Sequence, residues 1–125
     1  MDRKTLRRHC LDKPGSVECY PYGDCVKAYK VGGKIFAFFT DAGHLEVSLK
    51  SDPMISLRLR KRFPEHVRPG FWNMQKKHWN TIRVKRGFSA AELSCLLDSS
   101  YELVFRGLTK SQRMSCSTSK SVLGR

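Results

Sequence analysis

Acidic side chains are scarce in this chain. Eleven Asp and Glu stand against 24 Lys and Arg, a formal charge of +13 at pH 7 in 125 residues. No two of these acids form an evident pair in an apolar setting, so carboxylate acid/base catalysis has no foothold. Nucleophile and phosphate-cradle signatures are missing too: there is no GxSxG, no GxGxxG and no P-loop. The five cysteines are odd in number and include no CxxC pair, which argues against a zinc ribbon or a dithiol redox site. Reduced thiols are expected, with Cys10 and Cys95 packed as small hydrophobes on helix faces. No apolar run approaches the roughly 18 residues of a membrane span. The charged start, Met1 to Arg8, lacks the apolar core of a signal peptide. The expectation is a cytoplasmic, monomeric, non-enzymatic protein without cofactor, metal or membrane contact.

What the chain does hold is positive charge, unevenly spread. Between Lys50 and Arg86 eleven Lys and Arg face two acids, Asp52 and Glu65, which places +9 of the +13 in under a third of the sequence. A single-sign field of that size draws polyanions, and phosphate neutralisation with counterion release is its commonest use.

Periodicity supplies the elements. Asp2 caps a helix from Arg3 to Asp12 that turns Leu6, His9 and Cys10 to one face. Cys25–Val31 and Lys34–Thr40 read as strands joined by Gly32-Gly33, a two-residue loop tolerant of positive φ. Leu45, Val47 and Leu49 alternate with polar residues as a third strand. Asp52-Pro53 opens a helix to about Phe63, stopped by Pro64. Pro64 to Lys77 is a long basic and aromatic connection, and a strand from His78 or Trp79 to Lys85 follows. Ser89 and Glu92 form a capping box. Behind it Leu93, Leu96, Leu97, Tyr101, Val104 and Leu108 recur at helical spacing. Residues 17–22 and 66–74 are candidates for short extra strands. From Met114 the composition turns to Ser, Thr and Lys, and residues 114–125 are expected to be a disordered tail.

The predicted fold is α+β: a two-layer sandwich in which an antiparallel meander is packed by the N-terminal and the long C-terminal helix, in the order α-β-β-β-α-β-α. It forms one domain over residues 1–113.

The candidate binding residues are Lys76, Lys77, His78, Trp79, Arg83 and Lys85, with Arg60 and Arg62 from the basic run Arg58 to Arg62. Strand parity puts Trp79 on one face with Thr81, Arg83 and Lys85, and sends Ile82 and Val84 inward. A tryptophan beside cations suits base stacking with phosphate contacts. The alternative is that the strand starts later and Trp79 joins the core. His78 fits a phosphate-binding face, a structural pin to the backbone, or a general base, although the sequence shows no nucleophile for it to serve. A meeting of His66 and His78 around the long loop with Trp72 would make a small-ligand or enzyme site, a further alternative.

Four segments in order, Tyr20-Pro21-Tyr22-Gly23, Val31-Gly32-Gly33-Lys34-Ile35-Phe36-Ala37, Leu49-Lys50-Ser51-Asp52-Pro53 and Lys76-Lys77-His78-Trp79-Asn80-Thr81, resemble the MmcQ/YjbR family of small bacterial proteins. The likeness extends to Leu108–Arg113. It implies a fold similar to frataxin-like proteins and secretion chaperones, and a "double-wing" DNA-binding role in which hairpins flank a basic surface. The wings here would be the turns at Gly32-Gly33 and Arg86-Gly87. Where the family commonly has His-Met-Asn, this chain has Asn73-Met74-Gln75. The expected partner is DNA, double-stranded and read with little sequence specificity. The competing expectation is a protein-interaction module with an open sheet face.

Overall fold

Capping chemistry fixes where the helices start. The Asp2 carboxylate accepts from the Thr5 amide, Asp52 Oδ1 accepts from the amides of Met54 and Ile55 ahead of Pro53, and Ser89 Oγ accepts from the Glu92 amide. The resulting elements are α1 (Arg3–Leu11), β1 (Val17–Cys19), β2 (Val26–Val31), β3 (Lys34–Thr40), β4 (Glu46–Lys50), α2 (Pro53–Arg62), β5 (Val67–Pro69), β6 (Trp79–Arg83), α3 (Ala90–Arg106) and α4 (Lys110–Leu123). The computed structural model describes residues 1–40, 43–70, 76–85 and 87–123, with side chains described as far as Cys116.

One six-stranded sheet runs in the order β1-β2-β3-β4-β6-β5, every neighbouring pair antiparallel. The first four strands form the expected meander. The chain then leaves through α2 and returns as β5 on the outer edge, so that β6 is inserted beside β4. The short strand at Val67–Pro69 is the second of the two extra strands the sequence suggested, and β1 is the first.

Helices cover one face. Leu6 and Cys10 of α1, Leu59 of α2, and Leu93, Leu97, Tyr101 and Val104 of α3 bury against Tyr29, Val31, Phe36, Phe39, Val47, Leu49 and Ile82 of the sheet. The both-parity apolar run Ile35–Phe39 has a local cause. The register slips between Tyr29 and Lys30, leaving Phe36 as a bulge residue, so Phe36 and Ala37 both join the helix-side core. The Phe36 carbonyl freed by the bulge accepts from the Ser100 hydroxyl of α3, which in turn accepts from the Lys50 amide. Phe38 points the other way, into a second small cluster with Val26 and Ala28, edged by Cys19, Ile35 and Trp79.

Two expectations are corrected. The tail expected to be disordered from Met114 is helical in α4, and Cys116 is buried there. An ideal Cβ on Gly15 would stand 2.6 Å from Cys116 Cβ, so α4 is seated directly on the turn after α1. At the start of this helix the Thr109 amide donates to Gln112 Oε1, and the Gln112 amide donates back to Thr109 Oγ1. Composition missed α4 because its anchors are few and small. Cys95, expected on an apolar face, is exposed, whereas Cys10 is fully buried.

Candidate nucleic-acid interface

The register decides which of the basic residues meet. Lys50 pairs with Trp79 and Glu46 with Arg83 across β4 and β6. Lys76, Lys77, His78 and Trp79 therefore lie at one end of β6, and Arg83 and Lys85 at the other. Trp79 and Arg83 are four residues apart, about 13 Å along the strand.

The first group is built firmly. Lys76 and Lys77 are exposed in the turn that enters β6. Arg60 of α2 braces that turn from below: its Nε donates to Asn80 Oδ1 at 2.7 Å and its Nη2 donates to the Lys76 carbonyl. Asn80, 2% exposed, completes its bonding by donating Nδ2 to the Ser56 carbonyl. The other side of the turn is tied to the end of β4, where the Ser51 amide donates to the His78 carbonyl at 2.7 Å and His78 Nδ1 contacts the Ser51 carbonyl at 3.3 Å. The backbone beneath two lysine side chains is held from both sides, while no ion pair among the described residues engages either ammonium. His78 thus contacts the backbone as a pin, one of its three expected roles.

Trp79 takes an intermediate position. It shares its face with Thr81 and Arg83, as strand parity required, yet it is half-buried and rests on Phe38 with ring centroids 5.9 Å apart. Tyr22 also packs on Phe38, with ring centroids 5.5 Å apart. Beneath them Ser48 and Thr81 share a buried hydrogen bond of 3.0 Å. Val26, Ala28 and Phe38 are no more than 8% exposed, so this part of the sheet face is a closed apolar cluster, with Tyr22, 46% exposed, at its edge.

The second group of cations is partly spent. Arg83 lies 4.0 Å from Glu46, which also receives Arg68 at 2.9 Å. Arg62 reaches Glu92 at 3.4 Å and stacks over Phe63. Lys85 is exposed, beyond the strand end. Arg60, grouped with the phosphate contacts from sequence, is a brace. The structure therefore gathers Lys76, Lys77, His78 and Trp79 and leaves Arg62, Arg83 and Lys85 apart.

Pairing also brings in residues that sequence reasoning passed over. Lys50 is the cross-strand neighbour of Trp79. Lys34, exposed at the start of β3, lies at the same sheet end, separated from β6 by β4 alone, roughly 10 Å across two strand spacings. Alternation marked Lys50 as outward-facing, but only strand order shows whose neighbour it is.

The two turns named as wings do not flank one surface. Gly32-Gly33 lies at the Lys76–Trp79 end, whereas Gly87 follows β6 at the Arg83 end; Arg86 is outside the described residues. The first turn is also anchored: an ideal Cβ on Gly32 would come 2.6 Å from Leu108 Cδ1, and Gln112 Nε2 donates to the Gly32 carbonyl.

His66 and His78 do not line a common pocket. His66 precedes β5 beside Arg83, whose amide donates to the His66 carbonyl, and its ring packs on Phe88. His78 is at the opposite end of β6. Trp72 and Asn73-Met74-Gln75 lie outside the described residues.

Comparison with known proteins agrees with this architecture. A family model described as YjbR matches residues 11–103. The uncharacterized YbdF protein of Escherichia coli O157:H7 is 36% identical over 108 residues, 86% of this chain and 87% of that one. The uncharacterized YjbR protein of Escherichia coli K12 is 27% identical, over 90% of this chain and 95% of its own. Among solved structures, a Deinococcus radiodurans protein with domain DUF419 superposes with a TM-score of 0.82 at 34% identity, covering 90% of this chain and 86% of that one. A Pseudomonas syringae protein at 21% identity and a TM-score of 0.65, covering 82% of this chain and 98% of its own, shares the fold.

Proposed function

The chain belongs to the YjbR family, and we propose that it is a non-enzymatic DNA-binding protein of low sequence specificity. The observation that carries this reading is the braced Lys76–Lys77 turn. Two exposed ammonium groups with no ion pair among the described residues stand on a backbone held by Arg60 and His78. Pre-organised cations contact phosphates at a lower ordering cost than cations on a free loop. Lys50 extends the positive rim at the same sheet end, and the accessible part of Trp79 is suited to stacking on a base or a sugar. Among the described residues no helix presents Arg, Asn or Gln in a base-reading row, so backbone contacts dominate and discrimination between sequences is small.

The test is titration of a labelled duplex and a labelled single strand at several salt concentrations. The logarithm of the association constant is expected to fall linearly with the logarithm of salt. The Lys76→Ala/Lys77→Ala variant should lower the magnitude of that slope by about 1.8, from 0.9 per phosphate contact. A slope near zero in the wild type, or an unchanged slope in the variant, would sink the proposal.

A further inference from the structure

The face of the sheet opposite α1, α2 and α3 carries an aromatic row. Trp79 on β6 and Tyr22 from the β1–β2 connection both pack on Phe38 of β3, with ring centroids 5.9 and 5.5 Å from its own. Phe38 is buried between them, whereas Tyr22 is 46% exposed and Trp79 half-buried. The row runs obliquely over the strands, because Trp79 is paired with Lys50 while Phe38 is paired with Ser48, two residues further in on β4.

Cations line both sides of this row. Strand alternation puts Lys50 on this face with Ser48, and Lys30 on it with Ala28. Both lysines stand at the sheet end where Trp79 lies, and no ion pair among the described residues takes up either ammonium. On the other side of the row Arg83 and Arg68 approach one carboxylate, Glu46, at 4.0 and 2.9 Å. Two guanidinium groups on one acid leave a net positive charge. Among the described residues Glu46 is the single acid that the strands place on this face. Glu18, the acid of β1, is turned to α1, where Arg7 holds it.

We propose that this face binds single-stranded DNA, with unpaired bases stacked on Trp79 and Tyr22 and the phosphates on either side held by Lys30, Lys50, Arg68 and Arg83. The inference rests on the DNA-binding reading above and names the form of DNA. The bases of a duplex are paired and stacked on one another, so a duplex offers this face phosphates without free ring faces. A single strand offers both, and aromatic rings beside a cationic track are how such strands are held. Rings already propped on Phe38 lose little freedom when a base settles on them. Stacking is tolerant of base identity, in keeping with low sequence specificity. The Lys76–Lys77 turn leads directly into Trp79, so its two ammonium groups meet the strand where it enters the row.

The test is titration of the full chain, at one fixed salt concentration, against three labelled probes: a thymidine DNA strand of about 15 nucleotides, a duplex of the same length and a uridine RNA strand. The thymidine strand should bind at least tenfold more tightly than the duplex. Tyr22→Ala and, separately, Trp79→Leu should each weaken strand binding about tenfold and leave duplex binding unchanged. Trp79→Phe, which keeps a ring, should retain most of it. Tyr22 is exposed, so Tyr22→Ala tests the row without opening the buried cluster, and circular dichroism should show an unchanged fold. Lys76→Ala/Lys77→Ala should weaken strand and duplex alike. A duplex bound as tightly as the strand, or a strand affinity that Tyr22→Ala leaves unchanged, would overturn this proposal and leave the DNA-binding reading standing. Tighter binding of the uridine strand than of the thymidine strand would overturn the assignment to DNA. No binding of any probe would remove both readings.

Discussion

Arg60 and Asn80 hold each other: the guanidinium Nε donates to the buried amide oxygen at 2.7 Å, while a second nitrogen of the same group donates to the Lys76 carbonyl. One side chain on α2 thereby couples the interior of β6 to the turn that displays Lys76 and Lys77. Loss of Arg60 should affect both stability and binding. Arg60→Ala leaves Asn80 Oδ1 buried without its donor, at a cost of about 2 kcal/mol in urea unfolding. It should also weaken DNA binding while preserving both ammonium groups. Binding that stays at the wild-type level in Arg60→Ala would show that the brace does not position the turn.

Two adjacent glycines should respond differently to the same substitution. Both have positive φ, +58° at Gly32 and +82° at Gly33. At Gly33 a Cβ meets nothing within 4 Å, so Gly33→Ala costs only the backbone conformation, about 1 kcal/mol. At Gly32 a Cβ would run into buried Leu108, and overpacking adds roughly 1–3 kcal/mol. Thermal unfolding of the two variants should rank Gly32→Ala clearly below Gly33→Ala.

Thiol accessibility reports on α4. Cys25 and Cys95 are exposed and should be modified quickly by a thiol reagent in the native protein. Burial pushes the Cys10 thiol up to about 12, so it should stay protonated and unreactive until unfolding. Cys116 is buried only because α4 is seated on the Gly15 turn. Its rapid modification under native conditions would contradict that seating, and Gly15→Ala is expected to expose it.

Acid should weaken the edge where α1 meets β1. Burial raises the Glu18 carboxyl, but the paired hydrogen bonds from Arg7, with those of Tyr20 and Tyr29, outweigh it and hold the group below its ordinary value. Asp98 is likewise lowered, its burial outweighed by Lys13 and His9. A carboxylate depressed in the folded state contributes its full stabilisation above its unfolded pKa, about 4, and loses it as pH falls through the folded value. The melting temperature should therefore drop as pH falls below about 4. Glu18→Gln should be less stable at neutral pH and show a shallower acid decline. A decline as steep as that of the wild type would remove Glu18 as a cause.

Local signals were enough for the elements, because each rests on neighbours in sequence. Asp2, Asp52 and Ser89 cap their own helices, Gly32-Gly33 makes its own turn, and the α3 stripe from Leu93 to Leu108 is periodic in itself. The two-layer antiparallel fold followed from those elements and their short connections, and the parity of β6 correctly set Trp79 beside Thr81 and Arg83. Strand order was not legible, and it decided the site. Only pairing with β4 shows that Lys76 and Trp79 stand with Lys50 and near Lys34, while Arg83 and Lys85 belong to the far end. Burial was equally non-local. Arg60 looked like one more surface cation in a basic run until Asn80, twenty residues on, was placed beneath it, and the Ser- and Thr-rich tail became helix α4 once the Gly15 turn offered Cys116 a place to bury. Sequence determined what each segment is able to form, since those forces act within a few residues. Which charges share a surface, and which are used up holding it, depended on contacts between residues far apart in the chain, and those exist only in the folded molecule.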